Sequence, residues 1–449
     1  MADHINLTST TLDPNDHPLL LRTTSSMSAT EIQTHIDQVS LDIERQKQVL
    51  KDLERRKSAL QRQLNDVRDP MAQLPLEISS EILLECGLQD PTPLMNVCKT
   101  WSEIVVSTPA LWAKIRIEFP CAEGFRRRLG RWLERAGSRP LRFTLPGFID
   151  EDIFALVRER FEQVEHLVIR HGQHTLADQR HGHVYTYTVS ELLHRDPGSL
   201  PSLKTLNIAV GSSNFSSASL VRLSRSSPNL VELVLEGGEL TYVPDEDIPG
   251  QGFLPELRYL GWWNEGIPGG RDAILRKITA PRLEALTLSS ISANPDHTYL
   301  LSFIQRSSPP IRDLIVACPF SFGDIQASLV LLTLTLTHLE IWWPRPEVME
   351  PLFTALLPPS PLLPNLRTLH FHIGYFHSES WEDWSRLVRN LPGHCEKRPD
   401  IRVGFFLSPT TSPAPQIRAA FKELSQSYGI GVFLTSRTGD GLRDIRPIV

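Results

Sequence analysis

No two cysteines of this chain stand in a C-x-x-C spacing. The five present, Cys86, Cys98, Cys121, Cys318 and Cys395, are odd in number and far apart. That pattern argues against a disulfide framework and a cysteine-rich zinc site, and it fits a reducing compartment. A basic start followed by an apolar run is also missing, so no signal peptide is expected. The longest apolar-rich stretch, around Leu329–Leu339, is interrupted by threonines and is too short to cross a bilayer. Positive charge is not in excess: the net charge is −6, whereas a dedicated nucleic-acid binder needs a basic field. The signatures GxxxxGKS, GxxxxGKT, GxGxxG, HExxH and GxSxG do not occur, and the pattern sets no nucleophile beside a base. These absences predict a cytoplasmic or nuclear protein that is not an enzyme, uses no cofactor, and has neither nucleic acid nor a membrane as partner.

What is present suits a folded chain. With 22% charged and 41% hydrophobic residues over 449 positions, the composition is that of a globular protein larger than one ordinary domain. Residues 1–27, rich in Ser, Thr, Asp and Pro, show no periodicity and are expected to be disordered. A helix then starts at Ser28-Ala29-Thr30-Glu31, which has capping-box spacing. Apolar residues follow at alternating steps of four and three: Ile32, Ile36, Val39, Ile43, Leu50, Leu53, Leu60, Leu64 and Val67, with Gln46 and Lys57 as polar interruptions. Residues 28–69 thus resemble a coiled coil, and a homodimer through residues 30–67 is expected. A single long helix packed on its own protein is the alternative. Asp69-Pro70 ends the helix, because proline disfavours helical backbone in its predecessor.

Beyond residue 160 the chain repeats itself. The unit is apolar-x-x-Leu-x-apolar, and its central leucines fall at Leu206, Leu233, Leu260, Leu286, Leu314, Leu339 and Leu369, with a weaker copy at Leu167. The gaps of 39, 27, 27, 26, 28, 25 and 30 residues resemble those of leucine-rich repeats. Each unit would be a short strand and a return segment, helical at Ala218–Ser226, Arg271–Ile278, Thr298–Arg306 and Glu379–Asn390. No unit can bury its leucines alone, so stacked units must share one core. A last helix over Gln416–Tyr428 and a strand over Ile430–Thr435 would cap the stack. The connector, residues 119–160, should carry a helix over Ala122–Ala136. Its arginines Arg126, Arg127, Arg128, Arg131 and Arg135 are diluted by nearby acidic residues and read as a solvated face.

Between coil and connector stand Leu74-Pro75-Leu76-Glu77-Ile78, Val97-Cys98-Lys99-Thr100-Trp101 and Pro109-Ala110-Leu111-Trp112. Pro75 suits a helix start. Ile78, Ile82 and Leu83 form one apolar stripe, and Leu94, Val97, Cys98, Trp101, Ile104 and Val105 a second. So short a module with so much apolar surface needs a partner. These residues resemble the F-box family. The resemblance implies a helical module that grips the Skp-type adaptor of a cullin–RING ubiquitin ligase, with Leu74, Pro75, Ile78, Ile82, Val97 and Trp101 at or behind the contact. Gly87–Pro93 departs from the family's longer linker. A coiled-coil and repeat scaffold with a degenerate F-box therefore stays open beside the receptor reading.

The fold expected is α/β: a long N-terminal helix, a small all-α F-box over residues 70–118, and a leucine-rich-repeat-like solenoid over residues 161–449. Side chains alternate along a strand. Glu232, Glu236, Tyr259, Trp263, Asp313, His338, Glu340, Trp342, His370 and His372 should therefore share one face. An unknown protein substrate is expected to meet Tyr259, Trp263, Glu340, Trp342, His370 and His372, since tryptophan and tyrosine are common interface anchors. Burial of Trp263 and Trp342 under loops is the alternative. No metal site is assigned. His370 and His372 read as recognition contacts, and His166, His171, His174, His181 and His183 lie at loose spacing without acidic or cysteine partners.

Overall fold

The computed structural model describes residues 28–87, 90–118, 124–170, 187–188, 199–209, 217–236, 250–264, 275–290, 298–317, 322–342, 344, 346–373, 391, 393, 396–407, 415–428, 431–437 and 443–447. The expected disordered N-terminus, the Glu379–Asn390 helix and most of the histidine-rich loop lie outside these residues. The chain divides into two compact units, residues 1–80 with 92–104, and residues 81–91 with 105–449.

In the first unit, helix α1 (Ala29–Arg68) begins as its sequence requires. The Glu31 amide donates to Ser28 Oγ at 3.3 Å, and the Ser28 amide donates to Glu31 Oε2 at 2.7 Å. Every residue from Ser28 to Leu64 is exposed. Its polar contacts are local, such as Gln33 Nε2 donating to Asp37 Oδ1 at 3.0 Å and Lys47 pairing with Glu44 at 2.7 Å. Pairs of this kind contribute only about 0.2–0.5 kcal/mol each. Asp69 leaves the helix in extended backbone (φ −71°, ψ 108°), as Pro70 demands. Its Oδ1 accepts from the Met71 amide at 2.9 Å, and its Oδ2 accepts from the Cys98 thiol at 3.2 Å. Burial pushes the Cys98 thiol up, and its bond to Asp69 adds to the rise. Ser79 Oγ donates to the Met71 carbonyl at 3.0 Å. One turn after proline thus anchors both halves of the helical module.

The second unit is built on one sheet of thirteen strands: β1 (Lys114–Arg116), β2 (Leu141–Pro146), β3 (Val164–Arg170), β4 (Thr205–Ala209), β5 (Glu232–Glu236), β6 (Tyr259–Asn264), β7 (Ala285–Ser290), β8 (Asp313–Ala317), β9 (His338–Trp342), β10 (Thr368–Ile373), β11 (Arg402–Leu407), β12 (Gly431–Arg437) and β13 (Arg443–Pro447). Each strand pairs with the next in this order. All pairs are parallel except the last, which is antiparallel. A sheet that grows in one direction along the chain is the solenoid geometry that unit-by-unit stacking demands.

Register explains the repeat. Leu167, Leu206, Leu233, Leu260, Leu286, Leu314, Leu339 and Leu369 are each the partner of the next. The row runs on through Val403 at one end and through Phe143 and Ile115 at the other. A second row, two residues on, joins Ile169, Ile208, Leu235, Trp262, Leu288, Val316, Ile341, Phe371 and Phe405. The leucine that opens each unit is buried too, as at Leu203, Leu230, Leu257, Leu283, Leu336 and Leu366. The turns into the strands carry their own ladder. The Arg258 amide donates to the Val231 carbonyl at 2.8 Å, Glu284 to Arg258 at 2.9 Å, Arg312 to Glu284 at 2.7 Å, Thr337 to Arg312 at 2.9 Å, Arg367 to Thr337 at 2.8 Å and Arg402 to Arg367 at 2.8 Å. A parallel sheet therefore continues past the strand ends, and backbone donors there are not left unpaired.

Return helices cover the leucine face: Phe353 of α9 (Pro346–Ala355) meets Phe371 of β10 at 5.6 Å between ring centroids. The helices expected at residues 218–226 and 298–306 form as Ser217–Ser226 and Thr298–Ser307, and the final helix as Pro415–Tyr428. Of the segment expected to be helical at Arg271–Ile278, residues 275–277 are helical, a short strand Ile278–Thr279 follows, and residues 271–274 lie outside the described residues. The sheet also begins before the leucine spacing reveals it, because β1 and β2 place Ile115 and Phe143 where the later units place leucine.

Leu286 lies at the middle of the row and is fully buried, whereas Leu334 is 76% exposed. Leu286→Ala is expected to cost about 2–5 kcal/mol in chemical denaturation, and Leu334→Ala less than about 0.5 kcal/mol.

Candidate functional site

Helix α2 (Leu76–Glu85) follows Pro75, whose carbonyl accepts from the Ile78 amide at 3.0 Å and the Ser79 amide at 3.1 Å. The helix separates two pairs at i, i+4. Ser79 and Leu83 are buried, while Ile78 and Ile82, about 100° round the helix, are 51% and 41% exposed. Leu74 at 39%, Leu76 at 47% and Val97 at 54% are open as well. Pro75 is exposed and Trp101 half-buried. Of the residues read from sequence as the adaptor contact, only Trp101 is partly covered. Leu83 does not belong to the open stripe, because the helical step carries it inward beside Ser79. Leu76 was not singled out in the sequence, yet it adds to the open surface; its place beside Pro75 was the available signal.

The end of this segment turns inward. Helix α3 (Lys99–Ser107) leads to a 3-10 turn, Pro109–Trp112, and Trp112 is 1% exposed. Its indole Nε1 donates to the Val105 carbonyl at 2.8 Å. Trp132 of α4 (Phe125–Ala136) meets it edge-on at 6.0 Å, and the Arg135 guanidinium lies 4.4 Å from its ring centroid. The arginine-rich helix therefore sets two of its cations on aromatic faces, the other being Arg128, 5.7 Å from the Phe125 ring centroid.

The second face of the sheet carries the expected substrate row, and only part of it is open. Tyr259 and His370 are half-buried, and so is His338. The side chain of Trp263 lies outside the described residues. Trp342, Glu340 and His372 are buried, at 8%, 6% and 7% exposure. An exposed Trp342 anchor, as the alternation suggested, is not what forms, because neighbouring strands set these rings on one another. Trp342 stacks on His372 at 4.7 Å, and His372 stacks on Phe406 at 4.4 Å with planes 4° apart. His370 meets His338 at 5.1 Å and Phe406 at 4.9 Å, both edge-on. Phe406 belongs to β11, whose unit has Asp400 and Val403 where others have leucine. The repeat pattern does not reveal it.

Glu340 sits at the centre of this cluster. Its Oε1 accepts from His372 Nε2 at 2.9 Å and from Trp342 Nε1, and its Oε2 lies 3.6 Å from His338 Nε2. Burial alone would push this carboxyl up. The imidazoles of His338 and His372 and the Trp342 indole outweigh burial and hold it far below the usual carboxylate range. His370 is the register partner of Glu340, and Gly404 is the register partner of His370. A Cβ at position 404 would stand 2.9 Å from His370 Cδ2, so glycine there is what lets the ring lie flat across the next strand. His338, Glu340 and His370 offer ligand atoms that all lie within 4.8 Å of one another. No helix among the described residues is long and apolar enough to cross a membrane.

Comparison with known proteins picks out the same helical segment. Residues 71–118, about a tenth of the chain, match the F-box-like family model. No curated protein matches the chain. Among solved structures it is similar to a Bacteroides fragilis protein from a structural-genomics programme, at 14% identity and a TM-score of 0.35, over 71% of this chain and 73% of that one. It is also similar to a chain of the Rad7 and Elc1 complex in yeast, at 14% identity and a TM-score of 0.36, over 87% of this chain and 96% of that one. At such scores neither likeness bears on function. An F-box-like segment followed by a parallel α/β sheet is what this chain carries.

Trp112 and the open stripe should respond oppositely to truncation. Trp112→Ala is expected to cost about 3–5 kcal/mol in chemical denaturation, while Ile78→Ala and Val97→Ala each change stability by less than about 0.5 kcal/mol.

Proposed function

We propose that the chain is the substrate-recognition subunit of an SCF-type cullin–RING ubiquitin ligase. It docks to a Skp-type adaptor through residues 70–118 and holds a protein substrate on the second face of a leucine-rich-repeat-like domain. The observation that carries this reading is the set of large apolar side chains left open in the F-box-like segment: Leu74, Leu76, Ile78, Ile82 and Val97. Apolar groups clustered in this way mark a surface that another protein covers. Trp112, buried at the far end of the segment, is consistent with this reading, since the open apolar side chains all lie before it. The chain does no chemistry in this reading. Ubiquitin transfer belongs to other subunits, and this one supplies proximity, which raises the effective concentration of substrate lysines.

On the substrate side, Tyr259 and His370 are the partly accessible members of the row, while Trp342, Glu340 and His372 are buried. Helix α1 adds a second association. Ile32, Ile36, Val39, Ile43, Leu50, Leu53, Leu60 and Leu64 are all about half exposed and keep the 4-3 spacing of a two-helix seam. Its partner is a second copy of the chain.

Co-purification with a recombinant Skp-type adaptor tests the first association. Full-length protein is expected to form a stable complex, and the pair Leu74→Ala with Pro75→Ala to weaken it at least about tenfold. Failure of the unaltered chain to bind leaves a non-catalytic scaffold with a degenerate F-box as the reading. For the second association, light scattering is expected to give twice the chain mass, falling to the monomer with Leu50→Asp and Leu53→Asp. A monomeric unaltered protein removes the coiled-coil dimer.

A further inference from the structure

The second face of the sheet holds one cluster whose side chains have the chemistry of metal ligands. His338 and Glu340 are two residues apart on β9 and therefore point to the same side. His370 enters from β10 as the register partner of Glu340. The three residues offer two imidazole nitrogens and a carboxylate oxygen within 4.8 Å of one another. His338 Nε2 and Glu340 Oε2 are 3.6 Å apart, too far for a good hydrogen bond. Two ligands on one tetrahedral ion, with bonds of about 2.0–2.1 Å, stand roughly 3.3 Å apart. The observed separation is close to that span.

The surroundings match the same need. A carboxylate that binds a metal through one oxygen is oriented by donors on the other. Glu340 Oε1 takes the His372 Nε2 donor at 2.9 Å and the Trp342 indole, and His372 is itself clamped between Trp342 and Phe406. Gly404 leaves room for the His370 ring. Both strands lie inside the sheet, which holds ligands more exactly than loops do.

We propose that His338, Glu340 and His370 bind a divalent transition-metal ion, with zinc the best match to two imidazoles and one carboxylate. His372 and Trp342 act as positioning residues through Glu340. Three protein ligands leave a fourth position for water or for a donor atom of a bound partner. The sequence alone suggested no metal here, because attention falls on His370 and His372 as neighbours on one strand. The sheet instead commits His372 to Glu340 and brings His338 from 32 positions away to face His370.

The site stands independently of the adaptor reading, and its test uses no other protein. Untagged full-length chain, stripped with chelator, is titrated with cobalt(II) under visible absorption, and then with zinc against a chromophoric competitor. One equivalent should bind, with the d–d bands of a four- or five-coordinate ion, and zinc should displace it. His338→Gln and His370→Gln should each weaken zinc at least about 100-fold, and His372→Gln by roughly 10–100-fold as a positioning change. His166→Gln, on β3, should change nothing. Circular dichroism establishes that each variant is folded. Should the ligand variants not fold, X-ray absorption of the zinc-loaded natural chain decides: nitrogen and oxygen donors with imidazole scattering support the site, and sulfur donors overturn it. Absence of stoichiometric binding, or unchanged affinity in folded His370→Gln, overturns it as well.

Discussion

The parallel, in-register pairing of one leucine per unit holds this molecule's second unit together. No unit has a core of its own; each central leucine is buried only because the units before and after supply its walls. The register is strict for the same reason. A slip of one residue would send the whole row to the other face, where Glu340, His370 and the Tyr259 hydroxyl now lie. A single choice of pairing therefore fixes both the core and the chemistry of the opposite face.

That constraint also shapes the end of the F-box-like segment. Trp112 stands three residues before Ile115, the spacing that separates the opening and central leucines of the units at Leu206, Leu233, Leu260, Leu286, Leu339 and Leu369. The tryptophan thus serves as the last marker of one module and the first buried residue of the next. The segment has two ends with different fates. Trp112 and Leu111 are sealed by the sheet's own unit, while Leu74, Ile78 and Val97 stay open.

Much of this architecture is legible in the sequence, for reasons that differ by element. The eight central leucines locate eight strands because burial on the shared face tolerates almost nothing else at that point. The capping box at Ser28 is readable because its two hydrogen bonds are local. What escapes the pattern are units in which another side chain fills the same volume: Ile115, Phe143 and Val403. In the last of these, Asp400 replaces the opening leucine. Arg398 fills the position differently, giving two hydrogen bonds to Asp400 at 2.9 Å and one to the Leu356 carbonyl at 2.9 Å. Its guanidinium holds the Asp400 carboxyl below the usual range. Whether the second face is open or closed was legible only as two alternatives, and burial of Trp342 comes from neighbouring strands, not from the loops the sequence suggested. Alternation says which side a residue faces, but not that Trp342, His372 and Phe406 from three strands would stack and cover themselves.

Glu340 is the residue the fold has least use for. On one side of it in the register row stand Ile315, Thr287, Gly261 and Val234, none of them ionisable, and on the other stand His370 and Gly404. A buried carboxylate costs several kcal/mol in desolvation, and at Glu340 the His338, His372 and Trp342 donors are what offset it. An apolar residue in its place would serve the sheet as well, and packing gives no reason for two imidazoles and an indole to converge on one carboxylate. Stability therefore does not explain the cluster. A group that is expensive to bury, fully surrounded by donors and set on the most rigid element of the molecule is arranged for what it binds, and this makes the β9–β10 patch the chemical centre of that face.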